Sequence, residues 1–203
     1  MPIMVILYFK AVHIIKLRTW NNMHIIIIIL LVLAGIIALL LLIALFMKKQ
    51  HYVKRDIIIN APLQKVFDYL KLLRNQDEFN KNAMAGEDRK KEFKGTDGTV
   101  GYIYSWSGDK SAGEGEKEIK NIIEGKSIEM EIRFIKPMRV SATIIMETES
   151  LPAPDGHQDQ TKVSWSNAGT LNYPLNIMIP MMEKHVVRDM DSSLLTLQNI
   201  LEK

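Results

Sequence analysis

The chain has 203 residues and a formal net charge of +3, but its charges are divided unevenly. Residues 1–55 contain seven of the 26 basic side chains and no acidic one, so the remaining 148 residues carry 19 basic and 23 acidic groups. A net charge of −4 without a basic stripe argues against nucleic acid as a partner of that part, and the lack of cysteine excludes disulfides, thiolate metal sites and cysteine nucleophiles.

The most apolar segment, residues 25–46, begins at Ile25, ends at Phe46 and contains no polar side chain. In a helix, which rises about 1.5 Å per residue, it matches the hydrocarbon core of a bilayer, which is about 30 Å thick. A cleaved signal peptide usually has a shorter apolar region and a small-residue cleavage site, and a core helix has a polar face. We therefore predict a transmembrane helix over residues 25–47 and a single-pass protein of the cell membrane.

Basic residues flank this segment on both sides. Residues 1–24 are apolar and basic; they are either a short interfacial helix or an artefact of the start site, because Met23 directly precedes the apolar segment. Residues 48–55 form a basic stem that suits anionic lipid head groups. The C-terminal flank holds slightly more Lys and Arg, so the positive-inside rule predicts a cytoplasmic location for the domain over residues 56–203.

Residues 56–203 show the pattern of one α+β domain. A β-branched strand at 56–59 precedes a helix from Pro62 to about Leu73, a short helix near 75–80 and a polar loop at 81–90. The apolar period then changes to two, which predicts an antiparallel meander with strands at 90–94, 99–107, 113–123, 127–135, 138–149 and 161–171. Apolar residues finally recur every three or four positions, which predicts one long helix that covers the apolar face of the sheet.

One face of the predicted sheet is rich in aromatic rings and is expected to face the last helix. Amphipathic rings need partners for their polar tips when they are buried, and methionine adapts to varied apolar shapes. This composition predicts either a filled core or a hydrophobic cavity with a few polar groups. The residues predicted to line such a cavity are Tyr102, Tyr104, Trp106, Lys117, Ile119, Met130, Ile132, Phe134, Val140, Ile144, Trp165, Met182, Val186 and Met190.

Lys117 is the one charged residue in that set. It shares a side of its strand with Gly115 and Ile119, which directs it towards the apolar face. An inward lysine would pair with an anionic group of a ligand, because an unpaired buried charge is costly. The more common arrangement is a side chain that turns outward near a strand end, and the sequence alone favours it.

The sequence contains no convincing set of catalytic or metal-binding residues. The five histidines form no H-x-x-x-H or H-x-x-E-H motif, and only His185 lies on an element that reaches a cavity. The serines lack the strand–turn–helix context of a nucleophile elbow, and Gly113 and Gly115 precede a strand rather than a helix. We therefore predict no catalytic residue, no metal site and no cofactor.

Six loose motifs occur in order along residues 52–203, at residues 57–70, 101–109, 113–115, 134–137 and 161–165 and in the ending from Arg188. Their order and spacing resemble the START-like SRPBCC superfamily, in particular its polyketide cyclase/dehydrase-type members. The resemblance implies a helix-grip fold: a seven-stranded antiparallel sheet wrapped around a long C-terminal helix, with a hydrophobic cavity between them. Lys117 stands where close members have an apolar residue, and residues 76–80 where they have a tryptophan-rich segment, so the ligand does not carry over.

Together these features predict a membrane-tethered, non-catalytic module that binds an apolar or amphipathic small molecule, either lipid-like or quinone-like. A second hypothesis is a cyclase- or dehydrase-type enzyme that uses Tyr102, Tyr104, Lys117 or His185 as acid or base. A third is a structural module that binds a protein through an exposed apolar patch at residues 177–182. The sequence identifies no specific protein partner.

Overall fold

The computed structural model describes the backbone of residues 2–80, 90–108, 113–152 and 159–203, and the side chains of these residues from His24 onward. The chain divides into two compact units, Met1–Met47 and Lys48–Lys203. Most of the polar loop predicted at residues 81–90 lies outside the described residues.

The first unit is a single helix, α1, Pro2–Phe46. The helix is continuous across the boundary predicted at residue 24. Its segment His24–Phe46 is long and apolar enough to cross a membrane. Every side chain from residue 24 to residue 43 is exposed, so this segment lacks the buried face that the core helix of a soluble domain would have.

The second unit is an α+β domain with a seven-stranded antiparallel sheet in the order β1-β7-β6-β5-β4-β3-β2. The predicted helix-grip architecture is confirmed. Its elements are β1 (Gln50–Ile59), α2 (Leu63–Lys71), α3 (Gln76–Phe79), β2 (Lys90–Lys94), β3 (Ile103–Ser107), β4 (Glu114–Ile123), β5 (Ser127–Lys136), β6 (Val140–Leu151), β7 (Gln160–Thr170), a 3₁₀ turn (Leu175–Met178) and α4 (Ile179–Leu201).

Strand β1 begins six residues earlier than predicted, within the expected basic stem. His51 and Val53 are buried and alternate with exposed neighbours, and the strand pairs with β7 along its whole length. The Nε2 atom of His51 lies 2.9 Å from Oδ1 of Asn167 on that partner strand. The polar side chains of the stem conceal this alternation, because a buried histidine resembles a surface residue in a hydropathy pattern.

Strand β3 begins four residues later than predicted. The backbone N–H of Tyr102 donates to the carbonyl of Thr99, and Gly101 has a φ of 86°, so residues 99–102 form a turn. Val100 is therefore 59% exposed, although the strand predicted at 99–107 would place it on the same side of the sheet as Tyr102. Tyr102, the next candidate residue, is buried.

Helix α4 runs beside β1 and is packed most tightly in its C-terminal half. Nε of Arg55 lies 3.0 Å from Oδ1 of Asp191, and Nε2 of Gln198 donates to the carbonyl of Ile58 at 3.0 Å. The residues of α4 that belong to the main core are Met190, Leu194, Leu197 and Leu201. The N-terminal half of the helix keeps more of its surface exposed.

Candidate ligand-binding face

The inner face of the sheet is the one formed by the alternating buried side chains of β3 to β7. Ten of the fourteen residues predicted to line a cavity are buried: Tyr102, Tyr104, Trp106, Lys117, Ile119, Met130, Ile132, Ile144, Trp165 and Met190. All of these except Lys117 belong to one hydrophobic core cluster. The structure therefore brings the predicted aromatic and apolar residues together.

The remaining four predicted residues lie at the border of this face. Val140, Met182 and Val186 are partly buried, and Phe134 is 42% exposed. Phe134 and Val140 also line a surface depression of about 450 Å³ at the hairpin between β5 and β6, together with Arg139 and neighbouring residues. We refer to these four residues as the rim residues, because none of them is fully buried.

Lys117 points inward, so the interpretation that it turns outward is wrong. Its side chain is 2% exposed and lies between Tyr104 on β3 and Ile132 on β5, its partners in the sheet register. Its Nζ donates a hydrogen bond of 2.8 Å to Oε1 of Gln76 at the start of α3. The middle of a strand leaves the side chain no short route to solvent, because β4 has neighbours on both sides.

Helix α3 supplies the polar partners of this lysine. Gln76 is 1% exposed, and its Nε2 lies 3.2 Å from the sulfur of Met130. The next residue, Asp77, accepts a hydrogen bond of 3.2 Å from the hydroxyl of Tyr104. It also forms an ion pair with Lys91, whose Nζ lies 2.5 Å from Oδ2. We refer to Gln76, Asp77, Lys91, Tyr104 and Lys117 as the Lys117 cluster.

Sequence reasoning did not identify Gln76 and Asp77 as functional residues. Their signal in the sequence is weak, because a polar pair in a short helix is typical of an exposed surface. Gln76 and Lys117 are 41 positions apart in the chain, so only the tertiary fold shows that they meet.

Burial lowers the pKa of Lys117 from 10.5 to about 8, and the negative charge of Asp77 opposes this shift in part. A buried ammonium loses its hydration, which favours the neutral amine. At pH 7 the amine is nevertheless still mostly protonated, because the pH lies about one unit below its pKa. The inner face therefore contains a buried cation at neutral pH.

Aromatic rings surround the cluster on the side of β2 and β3. Phe93 stacks on Tyr104 with ring centroids 5.3 Å apart, and the guanidinium of Arg74 lies 4.4 Å from the centroid of Phe93. On the other side, Phe79 of α3 meets Trp165 edge to face at 6.4 Å. Within the described part of the chain, the buried Nε1 of Trp165 has no hydrogen-bond acceptor.

His185 does not reach the inner face. It is exposed on α4, where its Nε2 lies 3.3 Å from Asp189 and its Nδ1 lies 2.9 Å from a nitrogen of Arg188. Of the four acid or base candidates, only Tyr102, Tyr104 and Lys117 are buried. Among the described residues, no three His, Asp or Glu side chains come together in a way that could hold a metal ion.

Comparison with known proteins shows a likeness in structure alone. No protein-family model and no curated protein sequence matches the chain. Three solved structures illustrate the structural likeness, each covering 75% of this chain: protein MLL2253 from Mesorhizobium loti (15% identity, 97% of its own chain, TM-score 0.53), Ara h 8.0201 (14%, 97%, 0.50) and norcoclaurine synthase from Thalictrum flavum in complex with dopamine and hydroxybenzaldehyde (14%, 87%, 0.51). At this identity the likeness concerns the fold alone, and it shows that the chain contains a domain with the same helix-grip fold as these three proteins.

Proposed function

We propose that residues 48–203 form a non-catalytic module that binds an apolar or amphipathic small molecule, lipid-like or quinone-like, at the inner face of the sheet. The observation that carries the proposal is the Lys117 cluster. It places a buried cation and a buried amide, Lys117 and Gln76, among aromatic and apolar side chains.

A purely structural core gives no reason for this arrangement. Lysine is almost never buried unless it is paired, because removing its charge from water costs several kcal/mol. An apolar side chain at position 117 would pack between Tyr104 and Ile132 without that cost. Sites for small molecules, in contrast, combine apolar walls with a few polar groups that orient the ligand.

In this proposal the ligand enters beside the N-terminal half of α4. Val140, Met182 and Val186 are partly buried, whereas Met190 and Leu197 further along α4 are buried. A ligand would enter with the least rearrangement at the N-terminal end of α4, because the packing is looser there and fewer apolar contacts need to open.

The segment His24–Phe46 is long and apolar enough to serve as a membrane anchor. We propose a single-pass protein of the cell membrane with residues 48–203 in the cytoplasm. A lipid-like or quinone-like ligand suits this location, because such molecules are concentrated in bilayers. The basic residues that follow the segment, Lys48 and Lys49, favour the cytoplasmic side.

Native mass spectrometry and solvent extraction of the purified full-length chain in detergent micelles test the binding proposal. We expect an apolar molecule to be recovered with the protein. Val140→Trp, which adds bulk at the rim, should abolish recovery, and Glu149→Trp serves as its control, because Glu149 is exposed on the opposite side of the same strand and is not among the residues that line the depression at Val140. Equal recovery from both variants, or none from the wild type, would contradict the proposal.

One observation favours an enzyme as the second candidate. The hydroxyl of Tyr104, the carboxylate of Asp77 and the amine of Lys117 lie in one cluster, which is the kind of arrangement that acid–base catalysis uses. During incubation with the wild-type protein, and not with Lys117→Met, the recovered molecule should then change in mass or, if it is cyclised without loss of atoms, in chromatographic retention. An unchanged molecule in both samples supports the non-catalytic module.

A protein-binding module is favoured by two exposed methionines near the start of α4. Met178 is 40% and Met181 is 68% exposed, whereas Ile179 between them is buried. Methionine-rich surfaces adapt to varied partners. Replacing both exposed methionines by serine should leave ligand recovery unchanged, and loss of a co-purified protein in that variant would support this third candidate.

A further inference from the structure

The charges of the Lys117 cluster do not balance. Lys91 and Lys117 each carry a positive charge, and Asp77 is the one carboxylate that the described residues contribute to the cluster. Lys91 forms the ion pair with Asp77, and the hydroxyl of Tyr104 donates to the same carboxylate oxygen. The cluster therefore retains one positive charge, on the buried Lys117.

The hydrogen bonds of Lys117 are incomplete as well. An ammonium group has three donors, and within the described part of the chain Nζ makes one hydrogen bond, to the neutral amide oxygen of Gln76. Asp77 acts on it through its charge alone. An anionic acceptor stabilises a buried cation with unused donors, and among the described residues the one carboxylate of the cluster, Asp77, is already paired with Lys91.

The neighbours of Lys117 indicate how much negative charge an acceptor at this point should carry. Along β4, Lys117 lies between Gly115 and Ile119, and across the sheet it lies between Tyr104 and Ile132. None of these four neighbours carries a formal charge at neutral pH. A phosphate monoester, which carries about −1.5 to −2 charges at neutral pH, would keep excess negative charge here, whereas a singly charged group such as a carboxylate balances the one cation.

We propose that the ligand of the inner face is an apolar molecule with one carboxylate, and that this carboxylate pairs with Nζ of Lys117. This inference rests on the proposed binding function and specifies its ligand class: an acid such as a long-chain fatty acid, rather than a neutral quinone or alcohol. Gln76 positions the lysine, and the apolar part of the ligand contacts side chains such as Met130 and Ile132.

Two photoreactive probes test the class of ligand. Hexadecanoic acid and hexadecan-1-ol, each with a diazirine at the same carbon, are crosslinked separately to the full-length chain in detergent micelles, and the labelled peptides are identified by mass spectrometry. Labelling of α1 reports how much probe the micelle holds, because its apolar side chains are exposed. The ratio of inner-face label to α1 label then measures binding at the inner face.

We expect this ratio to be about tenfold to hundredfold higher for the acid than for the alcohol, since a charge-assisted hydrogen bond is made only by the acid. Lys117→Met should reduce the preference to near one while the alcohol still labels the inner face. Lys120→Met is the matched control, because Lys120 is on the same strand but exposed to solvent; it should keep the preference.

The outcomes separate this inference from the proposed function. Equal labelling of the inner face by acid and alcohol in the wild type would overturn the inference and leave the binding function standing. A preference that survives in Lys117→Met would overturn it too, since the carboxylate would then bind elsewhere. If neither probe labels the inner face of the wild type above the level in Val140→Trp, both the inference and the proposed function fail.

Discussion

Lys117 in the middle of the sheet and Gln76 at the start of α3 are joined by a hydrogen bond of 2.8 Å, although 41 positions separate them in the chain. Both side chains are almost completely buried. The bond fixes α3 against β4, and the amide of Gln76 also contacts the sulfur of Met130 on the neighbouring strand β5. It therefore links the packing of the short helix to the charge of the candidate site.

The stability of the domain should increase between pH 8 and pH 10. The pKa of Lys117 is about 8 in the native state and 10.5 in a normal lysine, so the unfolded chain binds more protons in this window. The free energy of unfolding should rise by about 2–3 kcal/mol across it. Urea unfolding of a Trp20→Phe background checks this, because Trp106 and Trp165 then report on residues 48–203 alone.

Lys117→Met is the decisive comparison for this pH dependence. The variant should show a nearly flat profile between pH 8 and pH 10, and Lys120→Met, an exposed lysine on the same strand, should retain the rise. The pKa is raised above its normal value for Lys54, Lys71 and Lys90. The stability that these lysines contribute is therefore lost only above pH 10, and they cannot cause stability to rise between pH 8 and pH 10. The same increase in Lys117→Met would refute the assignment.

Removing the amide partner should destabilise the domain in a pH-dependent manner. Gln76→Leu keeps the apolar contacts but leaves the ammonium of Lys117 without its hydrogen-bond acceptor. We expect a loss of about 2–4 kcal/mol at pH 7, since the bond joins a charged donor and its loss leaves that donor buried. The loss should shrink at pH 10, where the amine is neutral.

Gln76→Glu provides the complementary test of the same pair. A carboxylate at this position places a negative charge against Lys117, so the pKa of the amine should return towards its normal value. The increase in stability between pH 8 and pH 10 should then disappear, as in Lys117→Met. Urea unfolding at both pH values is the measurement, and an unchanged rise would show that Gln76 does not face the ammonium in solution.

The sequence predicts the frame of the domain better than its site. Alternating residues such as Met130 and Ile132 identify the inner face, because period-two burial is a local property of a strand. The meeting of Gln76 with Lys117 depends on how α3 packs on the sheet, which no local pattern contains. The positive φ of Gly101 similarly turns Val100 outward, although its β-branched side chain fits a strand.

Gly115 should be more sensitive to alanine than Gly101, although only Gly101 has a positive φ. A Cβ at position 115 would lie 2.4 Å from the ring of Trp106 and 2.8 Å from the carbonyl oxygen of Arg133, so these groups must move. We expect Gly115→Ala to cost about 1–3 kcal/mol and to shift the fluorescence of Trp106. Urea unfolding and emission spectra of both variants provide the measurement.

Gly101→Ala serves as the control for that shift. A Cβ at position 101 would meet no atom within 4 Å. The loss of stability, about 1 kcal/mol, therefore arises from the backbone conformation alone. Its fluorescence should therefore match the wild type. An equal change in emission in both variants would show that Trp106 does not pack against Gly115.

The proposed topology predicts which side of the membrane each end of the anchor segment reaches. The chain has no cysteine, so single cysteines at His24 and at the exposed Ser150 can be labelled selectively. In intact cells a membrane-impermeant maleimide should modify His24→Cys, and it should modify Ser150→Cys only after lysis, because the basic residues Lys48 and Lys49 favour the cytoplasm. Labelling of Ser150→Cys in intact cells would place the domain outside the cell and contradict the proposed cytoplasmic location.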